Sequence, residues 1–258
     1  MLDLFAPGAP QTLVLLIARV GGLVLIAPVF STKTLPATVK TSITIVLAVL
    51  LQPIALAHAR AIPQITPETF VGEMIVGLAL GLGAALLVGA ASVAGDLIGM
   101  QIGLSGAAVL DPISNSSENV LGTFANLFAV TLLLAVDAHI VMIDAVARSL
   151  RAIPIGSGLH AEGLHAMVTS ANVLFALGLQ FAAPVVASVL VANAALAILS
   201  RAAPQFNILS VAFPVQIGVG LIALAASVPF IGAFYHGFSG TYGASLDRLF
   251  TAFTHGGA

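Results

Sequence analysis

The sequence predicts an all-α, polytopic membrane protein. Three observations carry that reading: charge is scarce, the apolar residues fall into six blocks long enough to span a bilayer, and glycines recur at helical spacing. Of the 258 residues, 59% are hydrophobic and 7% charged, 8 Lys plus Arg against 10 Asp plus Glu. A soluble globular domain carries about 25% charge, so a soluble single domain is excluded. The 25 glycines show no three-residue period and there is no cysteine, which excludes collagen and disulfide scaffolds. A net charge of −2 offers no basic field for nucleic acid.

Taken in order, the blocks are residues 11–30, 38–59, 68–102, 119–151, 164–200 and 208–238. About 20 helical residues cross a ~30 Å hydrocarbon core, so each block is read as helix. Met1 to Gln11 contains Asp3 and no Lys or Arg, unlike the basic start of a cleavable signal, so the first helix is expected to be retained. The breaks carry turn chemistry: Ser31 to Pro36, His58 to Pro67, Asp111 to Glu118, Ile153 to Gly158, and Ala202 to Asn207. Two helix starts are legible, Thr66 as N-cap before Pro67, and Asn115 as N-cap with Glu118 three residues on. Pro184 lies among Ala182, Ala183 and Val185, poor turn material, so a kinked single helix is expected there.

Two features fit badly with a simple bundle in lipid. Gly163 to Ser200 and Ala202 to Leu246 carry no formal charge and as straight helices would run roughly 57 and 68 Å, overshooting a bilayer. With six spans, Arg60, Arg148, Arg151 and Arg248 fall on the side of the N-terminus and Lys33, Lys40 and Arg201 on the other, a balance that sets no orientation. Both suggest that part of the chain is buried in protein partners. The third block adds a ladder, Gly77, Gly81, Ala85, Gly89 and then Ala91, Gly95, Gly99, Gly103. Four-residue spacing puts small residues on one helix face, where a neighbouring backbone can approach closely. The two-residue register jump between Gly89 and Ala91 turns that face by about 200°. Gly77, Gly81, Gly89, Gly95 and Gly99 are therefore expected at helix-packing or subunit interfaces.

Ionisable groups inside spans are functional candidates by default; here they are Arg19, Glu73, Asp96, Asp137, His139 and Asp144. On one continuous helix, Asp137 and Asp144 would share a face with His139 about 200° away, so the three do not converge. A proton relay is weighed against structural pairing, with Arg19 or a partner subunit, and pairing is preferred. Arg19, Asp96, His139, Asn193 and Arg201 are read as buried structural polar groups. No His pair stands at i and i+4, and no nucleophile elbow or phosphate loop appears. Neither a metal, a cofactor nor an enzymatic site is expected.

Between the third and fourth blocks, Gly103 to Asn119 mixes loop residues with an apolar stretch. Helix connections in bundles need about 2–8 residues, and irregular backbone at membrane depth must be buried in protein or line a cavity. The segment reads as a candidate constriction or plug, carried by Gly103, Leu104, Ser105, Gly106, Val109, Leu110, Asp111, Pro112 and Ile113.

The run from Gly95 to Ser105, GDLIGMQIGLS, with Leu110-Asp111-Pro112, resembles the central signature of the FliR family of flagellar export-gate proteins. Further agreement lies in Arg19 with Ala27-Pro28, Pro36 with Val39-Lys40, His139, Ile153-Pro154-Ile155-Gly156, and Ser200 to Asn207, SRAAPQFN, with Phe213-Pro214. The resemblance runs from about residue 15 to 235. It implies a non-enzymatic, channel-forming subunit of the type III protein export apparatus in the inner membrane at the flagellar basal body. Such a subunit assembles with FliP and FliQ into a helical gate projecting to the periplasmic side, works with FlhB and FlhA, and passes unfolded protein cargo. It also implies a FliP-like part over residues 1–158, a FliQ-like hairpin over 159–258, and a plug role for the segment beginning at Gly103. Against the family's usual residues, Asp96 replaces Glu, Gly106 a bulky aromatic, Ala197 Gly, and Leu209 Phe. Gly106 thins the plug. The alternatives are the homologous subunit of a virulence injectisome and, from a different class, a proton-coupled secondary transporter using Asp96, Asp137 and Asp144.

Overall fold

The computed structural model describes residues 7–32, 35–59, 61–103, 120–157, 161–203 and 208–237, and residues 240, 242–244, 246, 247, 250 and 251 beyond them. Among these residues the secondary structure is helical, without strands. The helices are α1 (Ala9–Ile26), α2 (Pro28–Ser31), α3 (Ala37–His58), α4 (Pro67–Gln101), α5 (Val120–Ala135), α6 (Ala138–Ala152), α7 (Ala161–Ala202) and α8 (Ile208–His236).

Local chemistry explains most helix ends. Ala27 precedes a proline, which bars it from the α region, and it takes φ −64°, ψ 123°, so α1 stops there and α2 starts with Pro28. Thr66 caps α4 as its position before Pro67 predicts: its Oγ1 accepts the Thr69 N–H at 3.1 Å, and Thr69 Oγ1 accepts the Thr66 N–H at 2.9 Å. This is a reciprocal capping box with Thr in the place usually held by Glu or Gln. Gly103 closes α4 in the left-handed region at φ 80°. The cap expected at Asn115 lies outside the described residues.

The fourth apolar block is not one helix. It breaks after Ala135, and α5 and α6 meet at a 68° bend. Asp137 sits at the break with φ 55°, ψ 27°, a conformation that Asp tolerates better than most residues. Its carbonyl accepts the Ile140 N–H at 2.9 Å and so starts α6. The shared face expected for Asp137 and Asp144 is thereby lost. By contrast α7 runs unbroken through Pro184, as the surrounding alanines and valine suggest. Its 42 residues make about 63 Å of helix. The long uncharged stretch after Ala202 is shorter as helix than its length allows: α8 ends at His236 after 29 residues.

The chain divides into two compact units, residues 1–86, 133–172 and 237–258 in the first and 87–132 and 173–236 in the second. In the first, α3 packs on α1 and α6, burying Leu15, Leu16, Val20 and Leu23 of α1, Ala48 and Ala55 of α3, and Met142, Val146 and Leu150 of α6. The segment after α8 belongs to this unit. Tyr242 and Leu246 are buried there, and the Tyr242 hydroxyl donates to the Leu80 carbonyl at 2.6 Å over the gap left by Gly83. Burial pushes that phenol's pKa above its ordinary value. The second unit is built around Ala90, Ala94, Ile98, Ile102, Leu121, Phe181, Ala182, Val185 and Val189. Phe181 meets Phe234 edge-on at 5.0 Å between centroids, and the Tyr235 hydroxyl donates to the Leu87 carbonyl at 3.1 Å.

Five helices among the described residues are long and apolar enough to cross a membrane, or six spans if the bent α5–α6 pair is one. The protein is an all-α polytopic membrane protein. Within the first unit α1 and α4 pack at backbone distance. A Cβ on Gly22 would overlap the Met74 carbonyl, and one on Gly77 would overlap the Arg19 carbonyl. At Gly21 a Cβ would meet only Thr44 Cγ2, at 3.7 Å. Gly22→Ala is therefore expected to destabilise by about 1–3 kcal/mol through overpacking, whereas Gly21→Ala gains roughly 0.5–1 kcal/mol from helix propensity. Thermal unfolding of the two purified variants in detergent checks the opposite signs; equal shifts would contradict the packing.

Candidate functional site

The most connected polar site in the first unit centres on Arg19. Its guanidinium is fully buried on α1, and Nε donates to Glu73 Oε2 on α4 at 2.6 Å. Nη1 donates to Ser149 Oγ at 3.2 Å and to the Ile153 carbonyl at 2.9 Å. The second Glu73 oxygen accepts the Gly156 N–H at 2.9 Å. Gly156 stands at φ 84° in the turn after Pro154, a conformation glycine adopts without cost. One cation and one carboxylate thus pin α1, α4, the end of α6 and the turn that follows it. Arg19 Nη2 has no hydrogen-bond partner among the described residues.

In the second unit the polar groups tie helices in pairs. Ser92 Oγ accepts from Asn126 Nδ2 at 2.9 Å, joining α4 to α5. Asp96 is half-buried beside it, its carboxylate so close to Gly122 that any Cβ there would overlap it. Gly95 lies equally close to the Leu121 carbonyl and Ala125. Across the α7–α8 hairpin, Gln216 Nε2 donates to Asn193 Oδ1 at 2.6 Å. An apolar cavity of about 70 Å³ is lined by α4, α5, α7 and α8, with Phe124, Phe128, Phe181 and Tyr235 on its wall.

Several sequence-based expectations change in this light. Gly77 and Gly81 pack on α1, Gly81 against Ile26, while Gly95 packs on α5; the two halves of the ladder do serve different neighbours. Both neighbours belong to the same chain, so the space at Gly77, Gly81 and Gly95 is filled from within it. Gly99 is buried and Gly89 half-buried. Arg201 is not buried: it is exposed in the last turn of α7, where the helix dipole favours a cation. Arg19 pairs with Glu73, not with any of the three aspartates. Asp144 binds Arg148 at 2.7 Å on the exposed face of α6, and Asp137 is exposed at the bend. His139 is half-buried, and its Nδ1 lacks a partner among the described residues.

Of the plug residues, Gly103 is described; Leu104, Ser105, Gly106, Val109, Leu110, Asp111, Pro112 and Ile113 lie outside the described residues. Among those described, no cluster of His, Asp or Glu could hold a metal ion. Sequence reasoning flagged Arg19 and Glu73 but not their pairing, and missed Ser149, Tyr235 and Tyr242, whose hydrogen bonds to Arg19, Leu87 and Leu80 are long-range.

Removing one member of a buried pair strands the other charge. Arg19→Met is therefore expected to cost about 3–5 kcal/mol. Adding Glu73→Gln should recover most of that loss, since the amide oxygen still accepts from Gly156 and no buried charge remains. Additive losses in unfolding free energy across this double-mutant cycle would contradict the pairing.

Residues 11–241 match the family described as bacterial export proteins, family 1. The flagellar biosynthetic protein FliR of Pectobacterium carotovorum is 31% identical over 234 residues, 90% of each chain. FliR of Escherichia coli is 30% identical over 241 residues, again 90% of each, and FliR of Bacillus subtilis 34% over 156 residues, 59% of this chain and 60% of its own. Agreement of this length, in a chain with the expected membrane helices and the glycine-packed α4, places the protein in bacterial export protein family 1, the FliR family of flagellar export proteins.

Proposed function

We propose that the chain is a core channel-forming subunit of the flagellar type III export apparatus. In this reading it assembles with FliP-like and FliQ-like subunits, works with FlhB- and FlhA-like components, and passes unfolded protein cargo across the inner membrane. The assembly sits at the flagellar basal body and projects largely to the periplasmic side. Residues 1–158 correspond to a FliP-like part and residues 159–258 to a FliQ-like hairpin, and the segment from Gly103 to Asn119 plugs the channel. The role is non-enzymatic.

The observation that carries this reading is the bareness of the α7–α8 hairpin. The spans Leu179–Ala202 and Ser210–His236 have mean hydropathy 2.2, yet only 22% and 11% of their most apolar windows are buried within the chain, against 56% for α1 and α4. Bilayer alone would cover apolar side chains, but about 63 Å of α7 exceeds a ~30 Å hydrocarbon core. The excess calls for protein neighbours. The relatives named above are flagellar proteins by name, which favours the flagellar apparatus over an injectisome. For a proton-coupled transporter, Asp137 at the bend and Asp144 bound to Arg148 would have to share a route, and they do not share a helix face.

The test is copurification. Tagged and expressed with its chromosomal partners, the protein should leave the membrane in mild detergent as a stable complex with FliP-like and FliQ-like chains. Recovery as a stable monomer alone would contradict the assignment.

A further inference from the structure

Away from the buried Arg19 site, the first unit holds a pocket of about 280 Å³ between α6 and the segment that follows α8. Ile140 and Val141 of α6 and Leu246 of the later segment give it apolar walls, and Leu246 is itself buried. Asp144 and Arg148 line it as well and stay about half exposed, at 51% and 59%. Gly243 completes the lining, and a Cβ there would meet nothing within 4 Å. The two charges touch through Arg148 Nε and one carboxylate oxygen at 2.7 Å, which leaves Asp144 Oδ1 and both Nη groups for a ligand. An exposed i,i+4 pair of this kind is worth only about 0.3–0.5 kcal/mol. A ligand that engages both charges therefore gives up little.

The charge pattern sets the depth of this pocket in the membrane. Before the bend, α5 carries no formal charge, whereas α6 carries Asp144, Arg148 and Arg151, all exposed. Charged side chains on the outer face of a span are costly in hydrocarbon and collect at its end, where lipid headgroups lie. The pairing of signs then selects the ligand. A lone guanidinium would take any anion, but Asp144 beside Arg148 repels a purely anionic group. A ligand with both signs, about 5–6 Å apart like the i,i+4 side chains that would hold it, suits the pair. Its phosphate accepts charge-assisted hydrogen bonds from the Nη groups, and its ammonium donates to Asp144. At about 280 Å³ the pocket is slightly smaller than the ~300–1,000 Å³ of sites for whole small molecules, so it admits a headgroup and leaves the acyl chains outside.

We propose that Asp144, Arg148 and the open space at Gly243 form a binding site for a phospholipid headgroup bearing both a phosphate and a primary ammonium, the chemistry of phosphatidylethanolamine. A choline headgroup has no N–H to give to Asp144, and a glycerol headgroup has no cation. The inference needs the chain to lie in a membrane and does not depend on its being a channel.

The test offers lipids with identical acyl chains and an ethanolamine, choline or glycerol headgroup to the full-length protein, purified in detergent with whatever partners it retains, and counts bound lipid by native mass spectrometry. The ethanolamine lipid should be retained about tenfold better than the other two, as one added charge-assisted hydrogen bond provides. Asp144→Asn and Arg148→Gln, both at exposed positions that folding tolerates, should each abolish that preference. Gly243→Leu should reduce binding by filling the pocket. Gly240→Leu, at an exposed glycine that also has open space and does not line the pocket, should leave it unchanged. Equal retention of the three lipids, or a preference that survives in Asp144→Asn and Arg148→Gln, overturns the site. Preference for the glycerol headgroup reduces Arg148 to a plain anion contact and overturns the paired recognition. Displacement of the lipid by soluble phosphoethanolamine at the same concentration overturns the lipid as its ligand.

Discussion

The ion pair between Arg19 and Glu73 is the constraint on which the first unit depends. A guanidinium at zero exposure needs partners for its charge and donors, and here Nε and Nη1 meet a carboxylate, a hydroxyl and a carbonyl drawn from α4 and the end of α6. Those acceptors can meet on Arg19 only if α1 and α4 approach closely. That is what Gly22 and Gly77 allow, since a methyl group at either would strike backbone. The charge and the glycines solve one problem together: small residues bring the helices close, and closeness lets the buried pair form. The same carboxylate then fixes the Pro154–Gly156 turn through a backbone N–H.

What the sequence makes legible is local. Thr66 before Pro67 foretold a helix cap, the break at Ile153 to Gly158 foretold where a helix stops, and the alanines around Pro184 foretold a helix that continues, whereas the stop before Pro28 fell inside a block read as one helix. Four-residue glycine spacing identified a close-packed helix. Each of these rests on chemistry within a few residues of itself. Legibility ends where partners are distant in sequence. Glu73 lies 54 residues from Arg19 and Gly156 lies 83 from Glu73, and no periodicity says which of several acids a buried arginine will take. The bend at Asp137 was hidden for a different reason: Ala135-Val136-Asp137-Ala138 contains neither Gly nor Pro, so no turn signal marks it.

The intramembrane acids also sort themselves. Glu73 is committed to structure, Asp96 is packed beside Gly122 between α4 and α5, and Asp144 lies on an exposed face with Arg148. They occupy separate environments, each with its own neighbours. Arg19 with Glu73, Ser92 with Asn126 and Asn193 with Gln216 tie helices to one another within each unit. The large apolar surface that composition announces divides accordingly, part of it spent on intramolecular packing in α1 and α4 and part left open on α3, α7 and α8.

The central claim is that the open surface of the hairpin meets other protein subunits. Single cysteines placed at Val191, Ile198, Ile222 and Phe230, exposed by 71%, 71%, 73% and 62% in the chain alone, can be labelled with a membrane-permeant thiol reagent in a protein that otherwise has none. The account predicts that labelling at these positions falls sharply in the assembled complex relative to the chain expressed without partners. Equal labelling in the two states would contradict it.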